Sequence, residues 1–284
     1  MNLPFTWHAI GYHMAVRKKN TEPEETIDVL SRSLSVVQHR TGHRAASDDI
    51  FLAWAGIRAR PGARRTLDLG SGKGTVALLL LSRMPATRVV GVEAHPPHHA
   101  LAVRNAALNG LDDRFDPRLG DLRDPAILAA EPPFDLICGA PPYQPVGSGI
   151  VPRDPGRAAG RFELRGGVED YAGTAARHLA SGGRAVLLMH GQGRTRAESA
   201  VTKAGLSVCR VVAVRPRPGR APNYWIVESA VDVREPVVEE ELCMRRAEGM
   251  AWSPEYAAVR ELLDLPPQGV DRGTVPPTGP VGAR

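Results

Sequence analysis

Two clusters of residues in this chain could do chemistry together. The first is the glycine-rich turn Asp68-Leu69-Gly70-Ser71-Gly72-Lys73-Gly74, which follows the apolar run from Arg65. Glycine lets the backbone turn tightly and lets a ligand come close to it. Glu93 ends the next apolar run, 21 residues after Gly72. A carboxylate about 20 residues beyond such a turn can accept hydrogen bonds from both hydroxyls of a ribose. Asp121 follows Gly120 after a third run, where it could accept from an adenine amino group. Taken alone, Asp121 reads equally well as an ordinary loop acid. Asp68 stands just before the glycines, where a cation is welcome and a pyrophosphate is repelled. Acids at three strand ends therefore point to a cationic adenosine cofactor, S-adenosylmethionine, rather than to a dinucleotide.

The second cluster, Ala140-Pro141-Pro142-Tyr143, follows the apolar run 134–139. It resembles the fourth motif of amino methyltransferases, whose usual form is Asn-Pro-Pro-Tyr. Gly147-Ser148-Gly149, the stretch 157–171 and Ser181-Gly182-Gly183 extend the likeness. Together they resemble the bacterial tRNA adenine-N6 methyltransferases that modify the adenine beside a valine-tRNA anticodon. Gln38, Gly42-His43-Arg44 and Asp48 are similar to the entry motif of that family, Gln…Gly-Tyr-Arg…Asp. The resemblance covers residues 24 to 232 and is most specific over 134–183. It implies that Asp68, Gly70, Ser71, Gly72, Gly74, Glu93, Ala94, Asp121 and Leu122 hold the cofactor. It also implies that Arg44 and Asp48 close the cofactor site from the N-terminal side. Ala140, Pro141, Pro142 and Tyr143 would shape the target pocket.

The motif has a physical reason. An exocyclic amine is a poor nucleophile because its lone pair is delocalised into the ring. Two acceptors aimed at its hydrogens favour a tetrahedral nitrogen and free the lone pair. That is positioning plus electrostatic preorganisation, and an aromatic ring stacks the flipped base. Here Ala140 stands where the family has Asn, so the side-chain acceptor is missing while the Pro141 carbonyl remains. By analogy with a lost oxyanion-hole donor, the cost is roughly 10²–10³ in rate. Gln144, where Phe is usual, offers an amide oxygen or is simply an exposed loop residue. The substitution leaves a slower amino methyltransferase, a changed acceptor, or a protein that keeps its cofactor without this chemistry. The alternative readings are a protein glutamine or small-molecule N-methyltransferase, and a non-catalytic RNA-binding protein on a degenerate scaffold.

These residues need a frame. Apolar runs at 65–69, 88–93, 114–121, 134–139 and 184–189 alternate with helical stretches at 75–83, 97–108, 167–180 and 194–204. Two further strands at 207–214 and 223–231 read as a hairpin. The pattern predicts a doubly wound α/β fold, a mostly parallel seven-stranded sheet of Rossmann-like, class I methyltransferase type. Residues 1–62 are expected to be a helical N-terminal extension that closes the cofactor site, and 63–233 the core. An acidic stretch and a short helix make 234–264 a C-terminal extension. Residues 265–284, rich in Pro and Gly, are expected to be disordered.

The net charge is +5, and 36 basic residues include only four Lys. An Arg-rich balance suits RNA, although genomic base composition enriches Arg as well. Arg153, Arg157, Arg161 and Arg165 recur every four residues and would share a helix face. Arg210, Arg215, Arg217 and Arg220 surround the last hairpin. These two groups are the expected phosphate contacts of an RNA partner, expected to be tRNA. His95, His98 and His99 have poor metal spacing and read as surface residues, so no metal is expected. Three scattered cysteines, no export signal and no long apolar run point to a cytoplasmic protein without a membrane span.

Overall fold

The computed structural model describes residues 24–266, so the expectation of disorder beyond Pro266 lies outside the described residues. Leu265 itself is buried, and Arg260 donates to the Pro266 carbonyl.

The described residues open with a hairpin where helix was expected. Strands β1 (Glu25–Val29) and β2 (Ser35–His39) pair antiparallel, ahead of helix α1 (Ser47–Ala59). The β-branched Thr26, Ile27, Val29, Val36 and Val37 suit a pleated surface better than a helix. There follow β3 (Arg65–Leu69), α2 (Thr75–Arg83), β4 (Arg88–Glu93), α3 (Pro96–Leu108), β5 (Phe115–Leu119) and β6 (Phe134–Gly139). Then come α4 (Pro155–Arg161), α5 (Val168–His178), β7 (Leu179–His190), α6 (Arg194–Lys203), β8 (Ser207–Arg215), β9 (Tyr224–Ala230), β10 (Val238–Cys243) and α7 (Pro254–Leu262). The hairpin is seated by amides from α3. Asn105 accepts from Val37 N at 2.7 Å and donates to Val37 O at 3.1 Å, and Asn109 does the same for Ser35.

The main sheet has eight strands in the order β10-β8-β9-β7-β6-β3-β4-β5, and only β9 runs against the others. This is the doubly wound fold expected, with one strand more than the seven read from the sequence. The acidic stretch supplies the extra strand, because β10 adds in parallel to β8. Its carboxylates meet arginines along that edge: Glu239 with Arg194, Glu240 with Arg58 and Arg210, and Glu241 with Arg215. Such exposed pairs contribute roughly 0–1 kcal/mol each. They matter more for what they neutralise, since Arg210 and Arg215 were expected at phosphates.

Helices cover both faces of the sheet. One core joins α1, α2 and α7 to the sheet, and the other joins α5 and α6 to it. α2 is buried all the way from Thr75 to Leu81, and it stops at Met84 because Pro85 disfavours the helical region for the residue before it. The Ser181-Gly182-Gly183 turn is absorbed into β7. There the pairing with β6 shifts between Phe134 and Leu136, and Gly182 takes φ +72°. No helix among the described residues is long and apolar enough to cross a membrane.

Candidate active site

β3 has β4 on one side and β6 on the other, with α2 leaving its end. At such a switch point a crevice opens outside the carboxyl ends of the strands. A cavity of about 900 Å³ fills it. Asp68, Gly70, Ser71, Gly72, Glu93, Ala94, Asp121 and Leu122 all line this one space, as do Ala140, Pro141, Pro142 and Tyr143. Arg44 and Asp48 line it from the N-terminal side. Gly74 does not reach it. That residue caps α2 at φ +85°, where a Cβ would lie 2.7 Å from the Phe115 ring.

The turn is held by its own ligands. Gly70 takes φ +66°, and a Cβ there would collide with the Tyr171 hydroxyl. Glu93 accepts from Gly72 N at 2.8 Å and from His95 N at 2.6 Å, so it ties the ends of β3 and β4 together. Asp121 faces the cavity while pairing with Arg123 at 2.6 Å, and that guanidinium keeps its carboxyl below the usual range. Arg44 is a brace. It pairs with Asp28 on β1 and donates to His39 O at 2.7 Å, fixing the loop before α1 to the hairpin.

Charge in the cavity is unbalanced. Burial raises the carboxyls of Asp48, Asp49, Asp68 and Glu93, with Asp49 pushed up to about 7 by burial and by Asp48 beside it. Among the described residues the lysine near them is Lys73, which is itself buried, and burial lowers its ammonium. Two carboxylate oxygens, Asp48 Oδ1 and Asp68 Oδ2, are buried without a hydrogen-bond partner, as is Ser71 Oγ. An unsatisfied buried polar atom costs about 1–3 kcal/mol, so the arrangement favours a cationic ligand.

At the other end lies the Pro-Pro-Tyr ledge. The Tyr143 ring stacks on His190 with centroids 4.7 Å apart, and His190 meets Tyr224 edge-on at 5.3 Å. Tyr224 in turn shares a 2.8 Å hydrogen bond with Ser47. Gln144 is not among the cavity-lining residues. Its backbone instead bridges to α4 through Arg161 O and Glu163 N, at 2.9 and 3.0 Å.

The arginines divide. α4 spans only Pro155–Arg161, so Arg153 and Arg165 lie outside it and the four do not share one helical face. Arg157, Arg161 and Arg165 nonetheless rim the cavity mouth, exposed, whereas Arg153 does not line it. Arg217 lines the far end and donates to the carbonyls of Arg246 and Ala247. Arg215 pairs with Glu241, and Arg220 lies away from the cavity. His98 is not a surface residue. It is buried against the cavity and pushed down to about 3 by burial and by His95, hence neutral. Among the described residues no cluster of metal ligands forms.

Sequence reasoning passed over Lys73, Asp49, His190 and Tyr224, all of which line the cavity, as does Tyr171. Lys73 and Asp49 had a signal, each adjoining a residue already singled out. Tyr171 falls within the stretch that carried the family likeness. His190 and Tyr224 had none, because only the pairing of β7 with β9 sets them opposite each other.

No family model matches the chain. A tRNA1(Val) (adenine(37)-N6)-methyltransferase of Porphyromonas gingivalis is 30% identical over 244 residues, covering 82% of this chain and 94% of its own. The chain belongs to the tRNA1(Val) (adenine(37)-N6)-methyltransferase family. Another protein of that description, from Tolumonas auensis, is 27% identical over 81% of this chain and 93% of its own. This member of the family also shares its fold with a predicted O-methyltransferase from Agrobacterium tumefaciens. The TM-score is 0.60 at 21% identity, covering 78% of this chain and all of that one.

Proposed function

We propose that this chain transfers a methyl group from S-adenosylmethionine to the N6 amino group of an adenine in tRNA. One observation carries the reading. A single crevice brings the glycine turn, Glu93 and the Pro-Pro-Tyr ledge together at the carboxyl ends of β3, β4 and β6. The donor set suits the cofactor. Asp68 and Asp48 offer buried, unpartnered carboxylate oxygens to its cationic methionine end. Glu93 would take the ribose hydroxyls, and Asp121 would take the adenine amino group. When bound, the cofactor supplies an electrophilic sulfonium methyl. The chain positions the target: Tyr143 offers a face to the flipped base and the Pro141 carbonyl accepts from its amine. Arg157, Arg161 and Arg165 are placed for phosphates at the mouth.

The raised carboxyls give a first prediction. Below pH 7 a carboxyl such as Asp49 is protonated, and a cationic ligand must expel that proton. S-adenosylmethionine affinity should therefore rise with pH up to about 7, approaching about tenfold per unit for each proton released, and flatten above it. Calorimetry in buffers of different ionisation enthalpy reads the released proton directly. Affinity independent of pH from 5.5 to 8 would remove these acids from the cofactor site.

The reading itself is tested by incubating the protein with S-adenosylmethionine and unmodified tRNA and analysing the nucleosides by mass spectrometry. N6-methyladenosine is expected. Replacing Arg157, Arg161 and Arg165 by Ala should weaken tRNA binding across sequences. It should also reduce the salt dependence by about 0.7–0.9 log unit per lost phosphate contact. Ala140 favours a second reading, an RNA-binding protein without this chemistry. That reading predicts tRNA binding with no methylated nucleoside in the same assay.

A further inference from the structure

An adenine stacked within an RNA loop must leave the stack before it can reach the ledge. The chain carries exposed apolar side chains just beyond that ledge. Val146, three residues after Tyr143, is 63% exposed, and Ile150 is 96% exposed. Val151 is exposed as well, and so is Leu164, which lines the cavity. Single exposed aliphatics are common on a protein surface, but here they gather on one loop at the mouth of a cavity.

The loop is tied down at both ends. Gln144 N donates to Arg161 O at 2.9 Å, and Gln144 O accepts from Glu163 N at 3.0 Å, which fixes the start of the loop to the end of α4. Ser148 N and Oγ both donate to Pro145 O, at 3.1 and 2.7 Å, and close a turn. Gly147 takes φ +91° in that turn, a position that favours glycine. A Cβ on Gly149 would lie 3.9 Å from the Phe162 ring, so the chain passes over Phe162 just before Ile150. At the far end Asp154 caps α4 by accepting from Arg157 N at 2.7 Å. Val146 therefore projects from the tip of a defined turn, and three residues of chain reach at most about 11 Å from Tyr143. Arg157, Arg161 and Arg165 rim the same mouth. Glutamates neutralise Arg210 and Arg215, whereas these three form no ion pair among the described residues.

We propose that the loop 145–151 is a wedge for RNA: Ile150, backed by Val146, enters the base stack where the target adenine has left it and keeps the adenine on the Tyr143 face. The proposal rests on the reading of this chain as a tRNA adenine methyltransferase. An aliphatic side chain at a base step takes the place of the lost stacking partner. The neighbouring arginines hold phosphates and favour a polyanion over an apolar protein surface.

The test uses the full chain, S-adenosylmethionine and unmodified tRNA. Ile150→Ser should lower kcat/KM for tRNA roughly 10–10²-fold, the effect of burying one isoleucine. Cofactor affinity by calorimetry should not change, because Ile150 does not line the cavity. Ile150→Met, still apolar and able to fill the gap, should keep most of the rate. The loss in Ile150→Ser should shrink on a tRNA with an abasic site beside the target adenine, where the stack is already open. 2-Aminopurine placed beside the target reads the stack without turnover. Its fluorescence should rise when saturating wild-type protein binds, and should rise far less with Ile150→Ser. Wild-type kcat/KM in Ile150→Ser, an equal loss on intact and abasic tRNA, or a loss that tracks a change of oligomeric state in sedimentation would overturn the wedge alone. A wild-type protein that binds cofactor and tRNA yet transfers no methyl to an adenine overturns the underlying reading, and the wedge with it.

Discussion

Replacing Glu93 by Ala is expected to abolish measurable S-adenosylmethionine binding. The carboxylate does two jobs. In the free protein it accepts from Gly72 N and His95 N, holding the turn after β3 against the end of β4. In the complex its remaining lone pairs would take the two ribose hydroxyls. Hydrogen bonds to a charged group are worth about 1.5–3 kcal/mol each, so losing two costs roughly 10²–10⁴ in affinity. The loosened turn adds to that loss. Glu93→Gln keeps one oxygen and should retain part of the binding, which separates loss of the acceptor from collapse of the turn. Calorimetry of both variants checks this, with far-ultraviolet circular dichroism to verify the fold. Unchanged affinity in Glu93→Ala would mean that the cofactor lies elsewhere.

Ala140→Asn is expected to raise the rate of methyl transfer to adenine N6. The residue lines the cavity at the start of the ledge, so a new amide would have water or the target as its partner. The gain should approach the roughly 10²-fold expected for restoring a preorganised electrostatic partner. Single-turnover measurements with saturating enzyme isolate the chemical step from binding. Absence of gain, in a protein that still binds cofactor and tRNA, would point to an acceptor other than an exocyclic amine.

The strand ends were legible because their signals are local. A glycine turn after an apolar run, a carboxylate about 20 residues on and a Pro-Pro-Tyr segment each depend on neighbouring residues in the chain. The alternation of strands and helices also follows from short-range periodicity, and it led to a doubly wound sheet with β8 and β9 paired as a hairpin. The four arginines after the ledge show where local reasoning ends. Their spacing matched a helix face, but α4 ends at Arg161, where the chain leaves the helix and Phe162 bridges to Gln144. The acidic run 239–241 read as an extension. It became a strand because β8 left a sheet edge lined with arginine, a property of the assembled sheet.

What the residue order determined by itself is the chemistry available at each strand end: acids and glycines on one side, a ledge without its Asn on the other. Tertiary structure decided which of those groups share a space and what charge they carry there. Asp49, Lys73 and His98 are ordinary ionisable residues until packing removes them from water, which shifts their proton affinities toward the neutral form. Tyr143, His190 and Tyr224 lie up to 81 positions apart and meet only because β6, β7 and β9 are neighbours. Such encounters depend on long-range strand pairing, which residue spacing along the chain does not encode.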